Sequence, residues 1–458
     1  MAITINQAPF NFSGFRQRNN LIIATSSNIA QDGFKYKVTV IAGDVQMYEG
    51  YISPNPEDAL VFDLYPVLSQ IGSMIATSAG DNLHKFSSST TILTSEQYPF
   101  KPLTYDAEPV IITVDEAWTV GGVLTDNPDI HAAEVVTRIM YNRCPQFSEG
   151  YRPNPTGYAQ FTSTTNKFMT DRRWDTLKWD KSQSVGLGAP GTSRIYTRVT
   201  KNDYGVWSVP YTSQSTRSDN NLPNYAATQV RVSLLPFNQS PIDYTESLSK
   251  MDDGVVHIAC YPANILASTI SGLNSIKSAI NSGNWYAIYV RLLNSGGSVV
   301  SVNHVMYNAE YFGESDCRHD NVRLGWVNGE GGWDYFNFIK RSENSYQIER
   351  KQFKSIEGNY ATADGGATPF AIHQYQRGVT QTQATTQRYL DITSDWLTEG
   401  EFALMTSLMT SPDVYIIDSS GVARPVIVEN STHTEKRERT SKKYNITIRI
   451  RHAQDYYS

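Results

Sequence analysis

The sequence is short of charge, of cysteine and of long apolar runs. Asp, Glu, Lys and Arg make up 18% of its 458 residues, against about 25% in an average soluble protein. The three cysteines, Cys144, Cys260 and Cys317, are odd in number and widely spaced. This spacing excludes a disulfide framework and a CxxC metal clamp, so reduced, buried thiols are expected.

No stretch approaches the ~18 apolar residues of a membrane-spanning helix. The opening residues, MAITINQAPFNFSGF, lack the charged and apolar segments of a signal peptide, so folding in a cytoplasm is expected. The net charge of −6 and the pI near 5.8 make nucleic acid an unlikely partner, because binding it normally leaves a basic footprint. Proteins or sugars are expected as partners instead.

One short segment is basic. Residues 435–443 (EKRERTSKK) carry five basic and two acidic side chains. A charge run between two strand-like segments is expected to form a solvated hairpin loop, with a phosphate- or DNA-facing loop as the alternative.

Aromatic residues, by contrast, are abundant. They make up 12% of the chain, with 28 Tyr, 17 Phe and 8 Trp, which is typical of β-sheets and of protein interfaces. The length exceeds what one hydrophobic core serves. We predict a mainly β protein of antiparallel, sandwich-like sheets with few short helices. Its predicted parts are an N-terminal antiparallel β domain (1–108), a loop-rich β domain with one helix (109–318) and an α+β C-terminal domain (319–458).

Local patterns support the first two parts. Alternation from Phe34 to Val40, followed by a turn and by Val45–Ile52, predicts a hairpin. The apolar spacing within Val61–Ile71 predicts a helix. In the second part, a helix is predicted over Pro262–Ile280, and residues 150–221 are expected to be loops that bind a ligand or a neighbouring subunit. A second hairpin is predicted around the turn Asn294-Ser295-Gly296-Gly297, joining Trp285–Leu293 to Val299–Tyr307.

The third part has the clearest pattern. Thr398 and Glu401 form a capping box that predicts a helix, stopped by Ser411-Pro412. The apolar face of this helix would consist of Phe402, Met405, Leu408 and Met409. Strands are predicted at Val414–Ile417, at Val426–Val428 and over the alternating run from Tyr444 to Arg451. No repeat of fixed period and no heptad run occurs, which argues against a solenoid or a coiled-coil shaft.

Patterns that could indicate catalysis or cofactor binding are weak, so no catalytic, cofactor or metal residue is predicted. Residues 186–191 (GLGAPG) resemble a phosphate-binding loop, but Pro190 removes a backbone amide that such a loop needs. The eight histidines include no pair four residues apart. Asp316, Cys317, His319 and Asp320 form the one cluster of metal-capable atoms, and their spacing fits no structural zinc pattern.

Paired acids could support general acid–base chemistry on a glycan. The candidates are Asp115 with Glu116, Asp252 with Asp253, and Glu399 with Glu401. Neighbouring acids on a strand point to opposite faces, and acids in the first turn of a helix are favoured by its dipole. A structural explanation therefore suffices for each pair, and no Gly-x-Ser-x-Gly elbow is present.

The densest aromatic patch lies at the start of the third part. It consists of Trp326, Trp333, Tyr335, Phe336 and Phe338, interleaved with glycines. The pattern predicts a strand over Val322–Val327, a glycine turn over Asn328–Gly332 and a returning strand over Trp333–Ile339. The hairpin is interpreted as core or subunit interface, with a sugar-binding platform as the alternative.

These residues also carry a resemblance. The series from Cys317 to Asn328, followed by GGWDYFNF (331–338) and IERK (348–351), resembles a family of virion or tail structural proteins from phages and prophages of Bacteroidetes-type hosts. The segments SDWLTE (394–399), SPDVY (411–415) and RPVI (424–427) are similar to the carboxyl end of the same family. The resemblance covers roughly the last 140 residues best, the first 75 less well, and the middle least.

The resemblance implies a repeated, non-catalytic subunit of the tail or of its baseplate or collar rings. We therefore expect an oligomeric ring located in the virion tail, assembled in the host cytoplasm, whose partners are copies of itself and other tail proteins. A receptor-binding protein that recognises host surface glycans is the alternative. An enzyme that cuts surface polysaccharide is the third hypothesis.

Overall fold

The fold was analysed in a computed structural model of the chain. The residues that it describes are 3–9, 13–14, 21–42, 45–69, 83–85, 90–96, 110–138, 140–141, 168–171, 194–211, 227–237, 239–251, 254–301, 303–311, 321–329, 331–354, 362–363, 366–367, 378–397, 399–411, 413–429, 445–453 and 456–457.

Strands take up 54% of the structure and helices 13%. The strands form seven sheets, and within the described residues all pairs are antiparallel except two. The described residues also include four short α-helices. The predicted fold class, mainly β with antiparallel sheets and few short helices, is confirmed.

The N-terminal part contains two sheets packed face to face. Its elements are β1 (Ile3–Gln7), β2 (Ser13–Gly14), β3 (Leu21–Ser26), β4 (Lys35–Ala42), β5 (Val45–Ile52), β6 (Ala59–Asp63), helix α1 (Tyr65–Leu68), β7 (Leu93–Glu96), β8 (Val110–Val120), β9 (Val123–Asp126), β10 (Glu134–Arg138) and β11 (Met140–Tyr141). One sheet has the order β1-β3-β6 and the other β10-β8-β4-β5, with β9 also paired to β8. Ile22 and Leu60 of the first sheet share a core with Val38 and Ile112 of the second, which gives a sandwich.

The predicted hairpin is confirmed, and the predicted helix is mostly wrong. Strands β4 and β5 pair from Tyr36↔Ile52 to Ala42↔Val45. Residues 59–63 form a strand instead of helix because they pair with β3, for example Phe62 with Ile22. The helix is only the single turn α1, and Ile71 lies outside the described residues. Cross-strand pairing therefore prevails over the helical spacing.

The middle part contains a five-stranded sheet and two helices. Its elements are β12 (Arg194–Val199), β13 (Trp207–Tyr211), β14 (Gln229–Leu235), β15 (Ile242–Ser247), β16 (Gly254–Ile258), α2 (Pro262–Ala267), α3 (Asn274–Asn281), β17 (Ala287–Leu293) and β18 (Asn303–Asn308). The sheet order is β12-β18-β17-β14-β15. A separate sheet, β13-β16-β7, includes a strand from before residue 109.

The helix predicted over Pro262–Ile280 is broken in two. Helix α2 ends at Ala267 because Ser268 and Ile270 have extended backbone (ψ 148° and 121°), and a 3₁₀ turn at Ser271–Leu273 leads into α3. The predicted second hairpin is confirmed, since β17 and β18 pair antiparallel. Its turn uses Gly297 at φ +76°, a conformation that favours glycine.

The C-terminal part is α+β, as predicted. Its elements are β19 (Val322–Val327), β20 (Trp333–Phe338), β21 (Ser342–Lys354), β22 (Thr362–Ala363), β23 (Gly366–Ala367), β24 (Val379–Thr393), α4 (Glu399–Thr410), β25 (Val414–Ile417), β26 (Ala423–Val428), β27 (Thr447–His452) and β28 (Tyr456–Tyr457). The main sheet has the order β20-β19-β25-β26-β27-β24-β21. Helix α4 packs on one face of it through Phe402, Met405 and Leu408.

The aromatic hairpin β19–β20 belongs to two hydrophobic cores at once. Trp326 and Phe336 on one face lie in the C-terminal core with α4. Trp333 and Tyr335 on the other face lie in the core of the middle part, with Trp207. The middle and C-terminal parts are therefore joined through this hairpin, and the three domain boundaries stay predictions.

Several sequence predictions fall outside the described residues. They concern Thr398 of the capping box, Cys144, Cys317, Asp252 and Asp253. They also concern most of residues 150–221, including 186–191, as well as residues 316–320 and 435–443.

We predict that Gly332→Ala destabilises the fold by about 1–3 kcal/mol, because it overpacks a filled site. A Cβ there would lie 2.3 Å from the carbonyl oxygen of Met169. The matched control is Gly296→Ala, whose Cβ would meet nothing closer than 3.5 Å and should change stability by less than about 0.5 kcal/mol. Thermal unfolding followed by circular dichroism measures both, and equal midpoints would contradict the packing described.

Candidate assembly surface

A two-stranded ribbon projects from the edge of the C-terminal sheet. Strands β21 and β24 pair from Ser342↔Ile392 to Lys354↔Val379. Strand β27 pairs with β24 only over Tyr389–Thr393. Strand β28 pairs with β24 only at Thr385 and Thr386. We call the part beyond β27, Tyr346–Lys354 with Val379–Arg388, the distal ribbon. Its nine-residue strand spans ~30 Å at about 3.3 Å per residue.

The base of the ribbon is firmly anchored. Leu390 and Ile392 are buried in the core that contains α4. The guanidinium of Arg388 donates two hydrogen bonds, of 3.2 and 3.0 Å, to Oδ1 of Asn344 across the strands. The guanidinium of Arg449 lies 4.7 Å from the ring centroid of Tyr389. These contacts fix the direction in which the ribbon leaves the sheet.

The two faces of the distal ribbon differ in chemistry. Side chains alternate between the two faces of a strand. We call the face on the same side as the buried Leu390 and Ile392 the inner face, and the register shows which residues lie on it. It carries Tyr346, Ile348, Arg350, Lys354, Val379 and Arg388. The opposite, outer face carries Glu349, Lys351 and Phe353. The inner face is therefore apolar and basic, and the outer face has balanced charge.

The inner face is uncovered. In the sheet, the same side is packed against α4, but on the distal ribbon Tyr346, Ile348 and Val379 are 59%, 45% and 55% exposed. An isolated two-stranded ribbon is at best marginally stable in water, so contact with another molecule would stabilise it. The ribbon is therefore the best candidate in the described residues for contact with another molecule.

All five residues of the predicted aromatic patch lie inside the chain. Trp326, Trp333, Tyr335, Phe336 and Phe338 are between 0% and 4% exposed. The hydroxyl of Tyr335 accepts a hydrogen bond from the backbone N–H of Val206 at 3.1 Å and lies 2.9 Å from Nδ1 of His84. The hairpin is thus core of the single chain, and its aromatic faces are closed to a sugar.

A buried arginine ties this hairpin to the middle part. Arg323 lies 3.4 Å from a carboxylate oxygen of Asp203 and donates to Oδ1 of Asn337 at 2.8 Å. Its guanidinium is 5.0 Å from the ring centroid of Tyr261 and 4.8 Å from that of Tyr335. No sequence pattern indicates the contact with Asp203, although the hairpin register places Arg323 opposite Asn337.

The other polar clusters have structural explanations. Ser208 Oγ lies 3.0 Å from Nδ1 of His257, but the two residues are 0% and 2% exposed, so no substrate reaches them. Glu116 is buried and accepts hydrogen bonds from Ser26 and Asn28, while Asp115 lies on the opposite face of β8. Among the described residues, no group of three or more His, Cys, Asp or Glu side chains could hold a metal ion.

The one cysteine in the described residues, Cys260, is buried and free. Burial raises the pKa of its thiol far above the ordinary value, so the thiol is unreactive. For this residue, the prediction of a reduced, buried thiol is confirmed.

Two surface features were missed by the sequence analysis. The ribbon strand VTQTQATTQRYLDIT (379–393) has no apolar period, so nothing in its pattern separates it from a loop. Trp396 is 60% exposed, and only its place in the SDWLTE resemblance drew attention to it. Neither feature has a hydrophobic periodicity that would reveal it.

In the described part of the chain, no helix is long and apolar enough to cross a membrane. The comparisons with known proteins give no further guide to function: no protein-family model matches the chain. No curated protein matches it either.

We predict that Arg323→Met destabilises the protein by about 3–5 kcal/mol, because it leaves the Asp203 carboxylate buried without its cation. The double variant Arg323→Met/Asp203→Asn should recover part of the loss. Arg341→Met is the control, since Arg341 and Glu343 form an exposed pair (75% and 61%) worth less than about 1 kcal/mol. Chemical denaturation measures all three, and equal effects of the two single variants would argue against the buried contact.

The stability of the protein should also depend on His84. Burial lowers the pKa of this histidine to about 3, whereas it is 6.5 in the unfolded chain. The unfolded state therefore binds a proton first as pH falls, and stability present above pH ~6.5 is lost progressively towards pH ~3. Between pH 7 and pH 5 this amounts to about 2 kcal/mol.

The measurement compares the free energy of unfolding at pH 7 and pH 5 for the wild type and for His84→Asn. The variant should lose less stability on acidification than the wild type. Parallel losses in the two proteins would show that His84 does not cause the pH dependence.

Proposed function

We propose that this chain is a non-enzymatic structural subunit of a tailed-phage virion, forming an oligomeric ring of the tail, baseplate or collar. Its partners would be copies of itself and other tail proteins, and its location the virion tail after assembly in the host cytoplasm. The observation that carries the proposal is the distal ribbon, on whose inner face Tyr346, Ile348 and Val379 are exposed. The resemblance of residues 317–351 and 394–427 to phage tail structural proteins supplies the class of assembly.

The ribbon suits a role in assembly. An arm that reaches beyond a folded subunit can contact a neighbouring subunit, and this one has a base packed in the core and exposed side chains along its described strands. It offers apolar, basic and backbone groups, since β21 is the last strand of its sheet. Such a surface supports protein–protein contact rather than catalysis.

The glycan-binding alternative gains no support from the aromatic hairpin. The side chains that would stack on a sugar, Trp326 and Trp333 among them, are buried. The Ser208–His257 pair is closed to solvent, so it gives the enzymatic hypothesis no support.

We predict that a shortened-ribbon variant folds but does not assemble. In this variant a two-residue Asn-Gly turn replaces residues 347–387 and joins Tyr346 to Arg388, which already face each other across the ribbon. The wild type should form a threefold, sixfold or twelvefold oligomer, and the variant should be monomeric. Light scattering coupled to size-exclusion chromatography measures the mass, and circular dichroism checks the fold.

A variant that assembles like the wild type would show that the ribbon is not the contact. A wild-type chain that is monomeric and missing from purified particles would overturn the structural role itself.

A further inference from the structure

The ribbon's inner face is positively charged as well as apolar. Over the distal ribbon, the inner face bears Arg350, Lys354 and Arg388 and no acidic side chain. Arg388 is engaged with Asn344, but Arg350 and Lys354 are exposed near the apolar Ile348 and Val379. A partner surface that fits this face is apolar and acidic.

The same chain carries such a surface on its N-terminal sandwich. Residues 110–137 contain five acidic residues, Asp115, Glu116, Asp126, Asp129 and Glu134, and neither Lys nor Arg. Glu116 is buried, and Asp126 is paired with Lys37 at 2.7 Å. Within the described residues, no Lys or Arg pairs with Asp129 or Glu134, although Nε2 of His131 lies 3.9 Å from a carboxylate oxygen of Asp129.

Asp126, Asp129 and Glu134 lie along an outer edge of the sheet, beside β8. Ala117 of β8 pairs with Lys35 of β4 on one side and with Asp126 of β9 on the other. Thr113 likewise pairs with Thr39 of β4 and with Val135 of β10. Strands β9 and β10 therefore follow one another along the same outer edge of the sheet. We call residues 123–135 the acidic edge.

The acidic edge also exposes large apolar side chains. Val123, Ile130 and Val135 are 66%, 89% and 56% exposed. The loop that presents Ile130 is held in place by Asn127, whose Oδ1 accepts a hydrogen bond from the backbone N–H of His131 at 2.8 Å. The acidic edge is thus complementary to the ribbon's inner face: both expose apolar side chains, and their charges are opposite.

We infer that the inner face of the distal ribbon binds the acidic edge of a second copy of this chain. This inference rests on the proposed structural role and names the surfaces that would join its subunits. Within one chain both surfaces are exposed, so they do not cover each other. Each copy then has one donor ribbon and one acceptor edge, a head-to-tail contact that generates a ring when the rotation between copies closes.

Charge reversal on each surface tests the contact. The ribbon variant is Arg350→Glu/Lys354→Glu, and the edge variant is Asp129→Lys/Glu134→Lys. All four positions are at least partly exposed, so the fold should survive, as circular dichroism will show. Each variant alone should assemble with a Kd raised about 10- to 100-fold, because like charges then face each other across the contact. Native mass spectrometry measures the oligomer population.

Mixing supplies the decisive comparison. An equimolar mixture of the two variants should recover assemblies that contain both chains, because every contact in an alternating assembly again joins opposite charges. Two matched controls should leave assembly unchanged: Lys351→Glu on the outer face of the same ribbon, and Asp243→Lys on β15, the exposed edge strand of another sheet.

The outcomes separate the inference from the proposed function. If the wild type and both variants assemble equally well, the acidic edge is not the acceptor, and the structural role stands. Loss of assembly in the variants, with no species of any size that contains both chains on mixing, would also overturn the pairing of these two surfaces. A wild-type chain that is monomeric up to about 100 µM rejects self-association by this contact, whereas absence from purified particles separately rejects the structural role.

Discussion

The aromatic hairpin β19–β20 is buried on both faces, and the organisation of the C-terminal half depends on this constraint. Alternate side chains of one hairpin enter two different cores, one containing α4 and the other containing Trp207. Both strands therefore need apolar residues at nearly every position, as fully buried strands do. Close approach is also needed at Gly325, where a Cβ would lie 2.9 Å from the ring of Tyr335. Polar groups in this position need internal partners: Asp334 accepts hydrogen bonds from Asn328 and Thr170, and Arg323 donates to Asn337 and to the carbonyl oxygen of Tyr204.

Because the hairpin is fixed on both sides, the rest of its sheet is fixed as well. Strand β25 pairs with β19, and the sheet continues through β26 and β27 to β24 and β21. Helix α4 shares one core with the hairpin and with Leu390 and Ile392 at the base of β24. The last two strands, β24 and β21, extend beyond this core. The face that is buried at Ile392 is therefore exposed at Ile348. The rigid core and the exposed ribbon are thus two ends of one sheet, which suits a subunit that holds its shape while it contacts a neighbour.

The sequence was informative where the pattern is local and periodic. The hairpins at 35–52, 287–308 and 322–338, the helix at 399–410 and the buried Ile448 and Ile450 of β27 agree with the alternation and turn residues that predicted them. It was misleading at Val61–Ile71, where pairing with β3 decided the structure, and at Ser268, where extended backbone interrupts a helical run of apolar residues. Both failures arise from tertiary or backbone effects that spacing does not encode.

The candidate surface could not be predicted in the same way. Trp333 and Tyr335 attracted attention because they are aromatic, but their burial depends on Trp207 and Tyr261, more than seventy residues earlier in the chain. The ribbon is built mainly from Thr, Gln and charged residues. It stands out only because the structure leaves its apolar side chains exposed. The acidic edge becomes meaningful only once the register shows β9 and β10 on one side of β8.

The central claim, that this chain is a structural part of a phage particle, is tested most directly by electron microscopy of purified virions in which this chain carries a small tag. Labelling of the tag should show several copies arranged around the tail axis, in the tail tube, baseplate or collar. Unlabelled particles, with the tagged chain found only free in the lysate, would contradict the account.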